Sequence, residues 1–164
     1  MPEGKLITPL RALSEAGVEF ILVGGFAAVC NGVPVVTLDV DIVHSRDVAN
    51  VARLLPFLDS IDAIFRIQPE RRLKPNASHL SGRGHLNLLT RLGQLDLLCT
   101  IGQDLAYEDL LPHSETIEIG DNLSICVLTL EKLIAIKEEL HSEKDRAMLP
   151  LLRRTLEEKR KLNH

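Results

Sequence analysis

The chain has 164 residues and a formal net charge of −4, with 45 % hydrophobic and 26 % charged residues, the balance of an ordinary globular protein. That length predicts one domain over 1–164, able to bury roughly 70 % of its unfolded surface. The acidic balance excludes strong general binding of nucleic acid through an overall basic field.

Residues 5–16 carry Leu6, Leu10 and Leu13 at helical spacing and stop at Gly17. Residues 18–23 read as a short apolar strand. Gly24-Gly25 then turns the chain into a short helix that ends at Asn31-Gly32. The run 20–38 is uncharged for 19 residues, long enough for a membrane span by length alone. Its Gly-Gly, Asn-Gly and Pro34 breaks argue against one, and the N-terminus lacks a signal-peptide core. The expectation is a soluble, cytoplasmic protein. Cys30, Cys99 and Cys126, odd in number and set in apolar runs, fit buried thiols in a reducing compartment. The six histidines show no ligand spacing and are assigned no metal.

A second strand is expected over 38–43 and a helix over 47–58, with Val51, Leu54 and Leu58 on its apolar face. In the segment 66–85, "RIQPERRLKPNASHLSGRGH", five basic residues face one acid. It is expected to be either a mobile basic loop beside the site, with Arg71, Arg72, Lys74 and Arg83 as phosphate contacts, or an ordinary solvated loop. Strands follow at 86–89, 95–101, 116–119 and 123–127, the last two forming a hairpin around Gly120-Asp121-Asn122. Helical segments over 129–160 close the chain and are expected to pack on the domain. Thr129 offers a cap for the first, and Pro150 is expected to begin a new helix. The pattern is α/β (α+β): a mixed sheet of about five or six strands flanked by helices.

The chemistry concentrates in "VGGFAAVCNGVPVVTLDVDIV". In a strand, residues i and i+2 share a face, so Asp39 and Asp41 project together. Adjacent carboxylates repel unless a cation lies between them, and Mg²⁺ accepts such oxygens while keeping waters or phosphates. "GQLDLL" sets a single acid, Asp96, in another apolar strand. If the two strands are neighbours, three carboxylates converge, enough for two metal ions. Alone, the D-x-D pair reads equally well as a solvated strand end. Gly24-Gly25, after a strand and before a helix, suits close approach of a phosphate to backbone N–H groups, or a tight packing turn. Lys137 interrupts the apolar stripe of Leu130, Leu133 and Ile134. It either snorkels to water or enters a site.

These motifs resemble the signature of the polymerase-β-type nucleotidyltransferase superfamily, hG[GS]…D-x-D, in its minimal form, and within it the AbiEii-like branch. The likeness continues through "GQLDLL", "YEDLLPHSETIEI", "VLTLEKLIAIKEEL" and "EKDRAMLPLL", over residues 20–152. The resemblance implies that Gly24 and Gly25 hold a triphosphate, that Asp39, Asp41 and Asp96 bind Mg²⁺ and act in catalysis, and that Lys137 and Asp145 assist nucleotide binding. It implies an NTP substrate and an acceptor that is an RNA, a protein or a small molecule. Val35-Val36 stands where many relatives carry a basic residue. That departure favours a second reading, a degenerate nucleotide- or partner-binding module, for instance beside an antitoxin.

Overall fold

A computed structural model describes residues 2–140 and 142–163. The elements run α1 (Pro2–Glu15), β1 (Phe20–Val23), α2 (Gly24–Cys30), β2 (Val40–His44), α3 (Val48–Ser60), β3 (Ile64–Phe65) and α4 (Ala77–Leu80). Then follow β4 (His85–Thr90), β5 (Gly93–Leu98), α5 (Tyr107–Leu110), β6 (Ser114–Ile119), β7 (Leu123–Leu128), α6 (Leu130–Glu139) and α7 (Glu143–Leu162). The sheet is mixed, with order β3-β4-β5-β2-β1-β7-β6. Its seventh strand, the two-residue edge β3, is too short to leave an alternating pattern in the sequence.

Two parallel pairings, β2 with β5 and β1 with β7, set the centre of the sheet, and the other neighbours pair antiparallel. In the shared register Val23 faces Asp41, Asp41 faces Asp96, and Asp96 faces Asn87. The Arg66 N–H donates to the Asn87 carbonyl, continuing the row past the end of β3. Laterally paired residues share a face, so Asp41, Asp96 and Asn87 stand on one side of the sheet. On the other side Val40, Ile42 and His44 are fully buried. The His44 Nε2–H donates to the Leu80 carbonyl at 2.8 Å, which ties α4 to that side.

Side-chain amides fix the corners. Asn50 on α3 accepts from the Glu19 N–H and donates to the Glu19 and Ser45 carbonyls, locking the start of β1 to the end of β2. Asn31 donates to Ala27 and Leu128 carbonyls and accepts from Lys159 of α7. Buried apolar residues from α1 to α7, including Leu149 and Leu152, form one cluster. Thr129 caps α6, accepting from the Lys132 N–H at 3.2 Å.

Two local expectations change. Pro150 starts no new helix: it lies exposed inside the continuous α7. Its missing N–H falls on the solvent side, while Leu149, Leu152 and Thr155 hold the same face against the core. The segment 66–85 is built: a 3₁₀ turn over Pro69–Arg71, then α4 with Asn76 and His79 capping each other's backbone. The uncharged run 20–38 divides into β1, α2 and a loop, and no helix among the described residues is long and apolar enough to cross a membrane.

Candidate functional site

The carboxylate face of the sheet opens into a cleft of about 350 Å³ between α2, the 33–39 loop and the helices α6 and α7. Six of the residues singled out in the sequence line it: Gly24, Gly25, Asp39, Asp41, Lys137 and Asp145. The seventh, Asp96, is beside Asp41 through the parallel β2–β5 register and is itself buried. Asp39 precedes β2, one residue outside the strand.

Electrostatics mark the Asp41–Asp96 pair. Burial pushes the Asp41 carboxyl up from 3.8 to about 7, reinforced by its hydrogen bond to Asp96 and by the charges of Asp96 and Asp39. Two carboxylates held side by side in low dielectric cannot both ionise cheaply, and at Asp41 this repulsion adds to the effect of burial. Arg66 opposes this: its Nη2 donates to Asp96 Oδ1 at 2.7 Å, with side-chain exposures of 30 % and 12 %. The other guanidinium nitrogen, Nη1, is buried with no hydrogen-bond partner among the described residues. A partly buried cation with an idle donor is thus aimed at the carboxylate row. Arg66→Met is expected to lower stability by roughly 2 kcal/mol, because it strands the buried Asp96 charge. Denaturant titration of the two proteins measures this, and equal midpoints would show the pair to be inert.

The glycines have a structural cause that the sequence does not display. Gly24 has φ +71°, and a Cβ there would lie 2.3 Å from Asp41 Oδ2. A Cβ on Gly25 would lie 2.8 Å from Thr37 Oγ1. The turn is therefore glycine because the carboxylate and the 33–39 loop close tightly over it, the packing alternative to a phosphate cradle.

On the opposite wall, the Lys137 amine pairs with Asp145 at 3.0 Å, with side-chain exposures of 24 % and 21 %. Ser142, which caps α7, also donates to Asp145, and these contacts hold the Asp145 carboxyl below its usual range, the Ser142 bond contributing most. Lys137 thus turns into the cleft with an anionic partner, and the partner is Asp145, not the carboxylates of β2. Lys144, itself exposed, lines the same wall.

Of the basic residues proposed in 66–85, Lys74 pairs with Asp59, Arg83 with Asp104, and Arg71 donates to Gln68. These four, Arg72 included, are not among the residues lining the cleft. The residue of that segment that reaches the site is its first, Arg66. Asn87 is the other member that sequence reading missed, since an asparagine in an apolar strand carries no motif of its own.

The donor set was tested against a hard cation. Among the described residues no three His, Cys, Asp or Glu side chains stand as a ready metal cage. So the three-way convergence of Asp39, Asp41 and Asp96 is, in geometry, a close pair with Asp39 acting on it from the side. Mg²⁺ is commonly held by one or two carboxylates, with phosphates and waters completing the shell. Two adjacent carboxylates, Asp41 in the cleft lining and Asp96 beside it, fit that requirement.

No family model matches the chain, and no curated protein matches it significantly in sequence. Among solved structures it is similar to the lincosamide antibiotic adenylyltransferase LnuA in its lincomycin-bound crystal structure. The TM-score is 0.59 at 14 % identity, over 92 % of this chain and 96 % of that one. The fold is of the nucleotidyltransferase type. In this chain Asp41, Asp39, the glycine turn and the lysine wall line one cleft, with Asp96 beside Asp41.

Proposed function

We propose that this protein, a single domain over 1–164 with its 129–160 helices packed upon it, transfers a nucleotidyl group from an NTP to a hydroxyl acceptor. The observation that carries the reading is Asp41 set against Asp96 by the parallel β2–β5 register, beside a cleft walled by Lys137 and Lys144, with burial first and Asp96 second pushing the Asp41 carboxyl up to about 7. Asp41 and Asp96, assisted by Asp39, would hold Mg²⁺. When bound, the metal supplies polarisation of the α-phosphate and stabilisation of the leaving pyrophosphate. Lys137 and Lys144 offer positive charge to the phosphates from the α6–α7 side, and Asp145 orients Lys137 until they arrive. Gly24 and Gly25 line the cleft beside Asp41 and Thr37 and would bring backbone close to the phosphates. Asp96 is placed to take the acceptor's proton.

The valines at 35 and 36 line the cleft where a cation was missed in the sequence. Lys137 and Lys144 supply charge from the facing wall, which favours the enzyme over the degenerate binder. Assignment to the AbiEii-like branch, an antitoxin partner and a cytoplasmic site rest on the sequence alone. LnuA, by its description, adenylylates a lincosamide; a small-molecule acceptor is accordingly one of the three classes to be tested first.

The direct test incubates the protein with Mg²⁺ and each α-labelled NTP, following pyrophosphate release and transfer of label. Failure of every NTP to bind with Mg²⁺ would overturn the reading. Lys137→Met keeps the bulk of the stem and deletes the charge. It is expected to weaken triphosphate binding about tenfold, the equivalent of one charge-assisted contact, and to affect monophosphate less. Calorimetry with an NTP and the matching NMP checks the difference.

A further inference from the structure

A second cleft, also of about 350 Å³, adjoins the first along the same face of the sheet. Gly24, Leu133 and Lys137 line both, so the two share a wall beside the carboxylates. Leu98 and His85 lie two residues along their strands from Asp96 and Asn87, and they pair with each other in the same register. Two residues of strand span about 7 Å. The second cleft therefore ends within a small molecule's length of Asp96, while Asp41 lines the first.

The chemistry of the lining restricts what fits. Leu98, Ile101, Leu133, Ile136 and Leu140 make the walls apolar, and no Asp or Glu lines the cleft. A cationic amine would find no counter-charge in the lining, and the nearest carboxylate along the strand, Asp96, is already paired with Arg66. A polyanion would find one cation, Lys137, which already holds Asp145. His85 and Thr100 are the remaining polar groups. The His85 Nε2–H donates to the Thr100 carbonyl at 3.2 Å, since a carbonyl can only accept. The Nδ1 of the neutral ring is left as an acceptor for a hydroxyl. The volume sits at the low end of small-molecule sites.

We propose that this second cleft is the acceptor site and that the acceptor is a small uncharged molecule with an apolar body and a hydroxyl group. The inference rests on the nucleotidyl-transfer reading above. In the step, the acceptor O–H bond breaks and its proton passes to Asp96. The acceptor oxygen bonds to the α-phosphorus. The bond from that phosphorus to the oxygen bridging to the β-phosphate breaks, and pyrophosphate leaves with the electron pair.

Three probes with one body separate the head groups: cyclohexylmethanol, cyclohexylmethylamine and cyclohexanecarboxylate. Saturation-transfer NMR on the full chain is expected to show the alcohol binding about tenfold more tightly than either charged analogue. Leu140→Trp, at a 40 % exposed position on the rim, fills the cleft and is expected to abolish that binding while Mg²⁺–NTP affinity by calorimetry stays unchanged. Ile101→Phe, on the half-buried wall, is the second variant. Equal or tighter binding of a charged probe, alcohol binding that survives both variants, absence of alcohol binding, or displacement of the alcohol by the NTP would each overturn the assignment. Loss of Mg²⁺–NTP binding in the wild-type chain would instead sink the transfer reading, and the acceptor assignment with it.

Discussion

Asp41→Asn is expected to stabilise the metal-free protein while abolishing its Mg²⁺-dependent binding of NTP. The sign follows from linkage. The Asp41 carboxyl sits at about 7 in the folded protein against 3.8 for the free group, burial being the largest cause and Asp96 the next. The folded state therefore binds a proton more tightly than the unfolded chain between those two values. As pH rises through that window, the wild type loses stability, and the loss is complete above about 7. Asparagine keeps the shape and can donate to Asp96, yet it has no charge to desolvate. At pH 8 the variant should exceed the wild type by roughly 2 kcal/mol, partial exposure of the carboxylate holding this below the full linkage value. For a chain of this size that is roughly 4–8 °C in Tm. At pH 4 the two should converge. Differential scanning calorimetry across pH 4–8 reads the stability, and titration calorimetry reads the binding. A variant no more stable at pH 8, or one that still binds Mg²⁺–NTP with wild-type affinity, would remove Asp41 from the centre of the site.

Gly24→Ala is expected to be the most damaging single methyl in the chain. Two effects coincide there. The backbone holds φ +71°, a conformation that L residues seldom adopt, and the new Cβ meets Asp41 Oδ2 at 2.3 Å and the Asp41 Cβ and Cγ at 3.1 Å. Left-handed strain costs about 1 kcal/mol for alanine, and a clash with a side chain fixed in the sheet adds more. A total of roughly 3 kcal/mol is expected. The two parts separate in a double mutant. Asp41→Ala removes the carboxylate that the methyl strikes, so Gly24→Ala in that background should cost about 1 kcal/mol less than in the wild type. Strict additivity would mean that the strain is wholly in the backbone. Urea unfolding of the four proteins closes the cycle.

Much of the fold was legible in the sequence where one local rule dominated. Short apolar runs bounded by turn residues marked six of the seven strands, and the Gly120-Asp121-Asn122 turn between β6 and β7 was read correctly because hairpin register is decided within a few residues. Thr129 was recognised as a cap for the same local reason. Pro150 was misread because helix-breaking by proline is a rule about an isolated helix. Here the buried face of Leu149, Leu152 and Thr155 outweighs one missing bond.

The sequence by itself determined the ingredients of the site: two acids two residues apart, a lone acid in a later apolar strand, a glycine pair after a strand, and a lysine in an apolar stripe. Each follows from the spacing of neighbours along the chain. Only the tertiary structure decided which of them meet. Asp41 stands against Asp96 because β2 and β5 pair in parallel across more than fifty residues of chain, and no local pattern encodes a parallel register. Arg66 joins them because an edge strand of two residues ends beside Asn87. Lys137 finds Asp145 rather than the β2 acids because the Ser142 cap turns α7 back against α6. The glycine pair, read from the sequence as a phosphate turn or a tight packing turn, is closely packed in space, Gly24 by Asp41 of β2 and Gly25 by Thr37 of the 33–39 loop. Charge repulsion, desolvation and steric approach depend on distance in space, and the fold alone sets that distance.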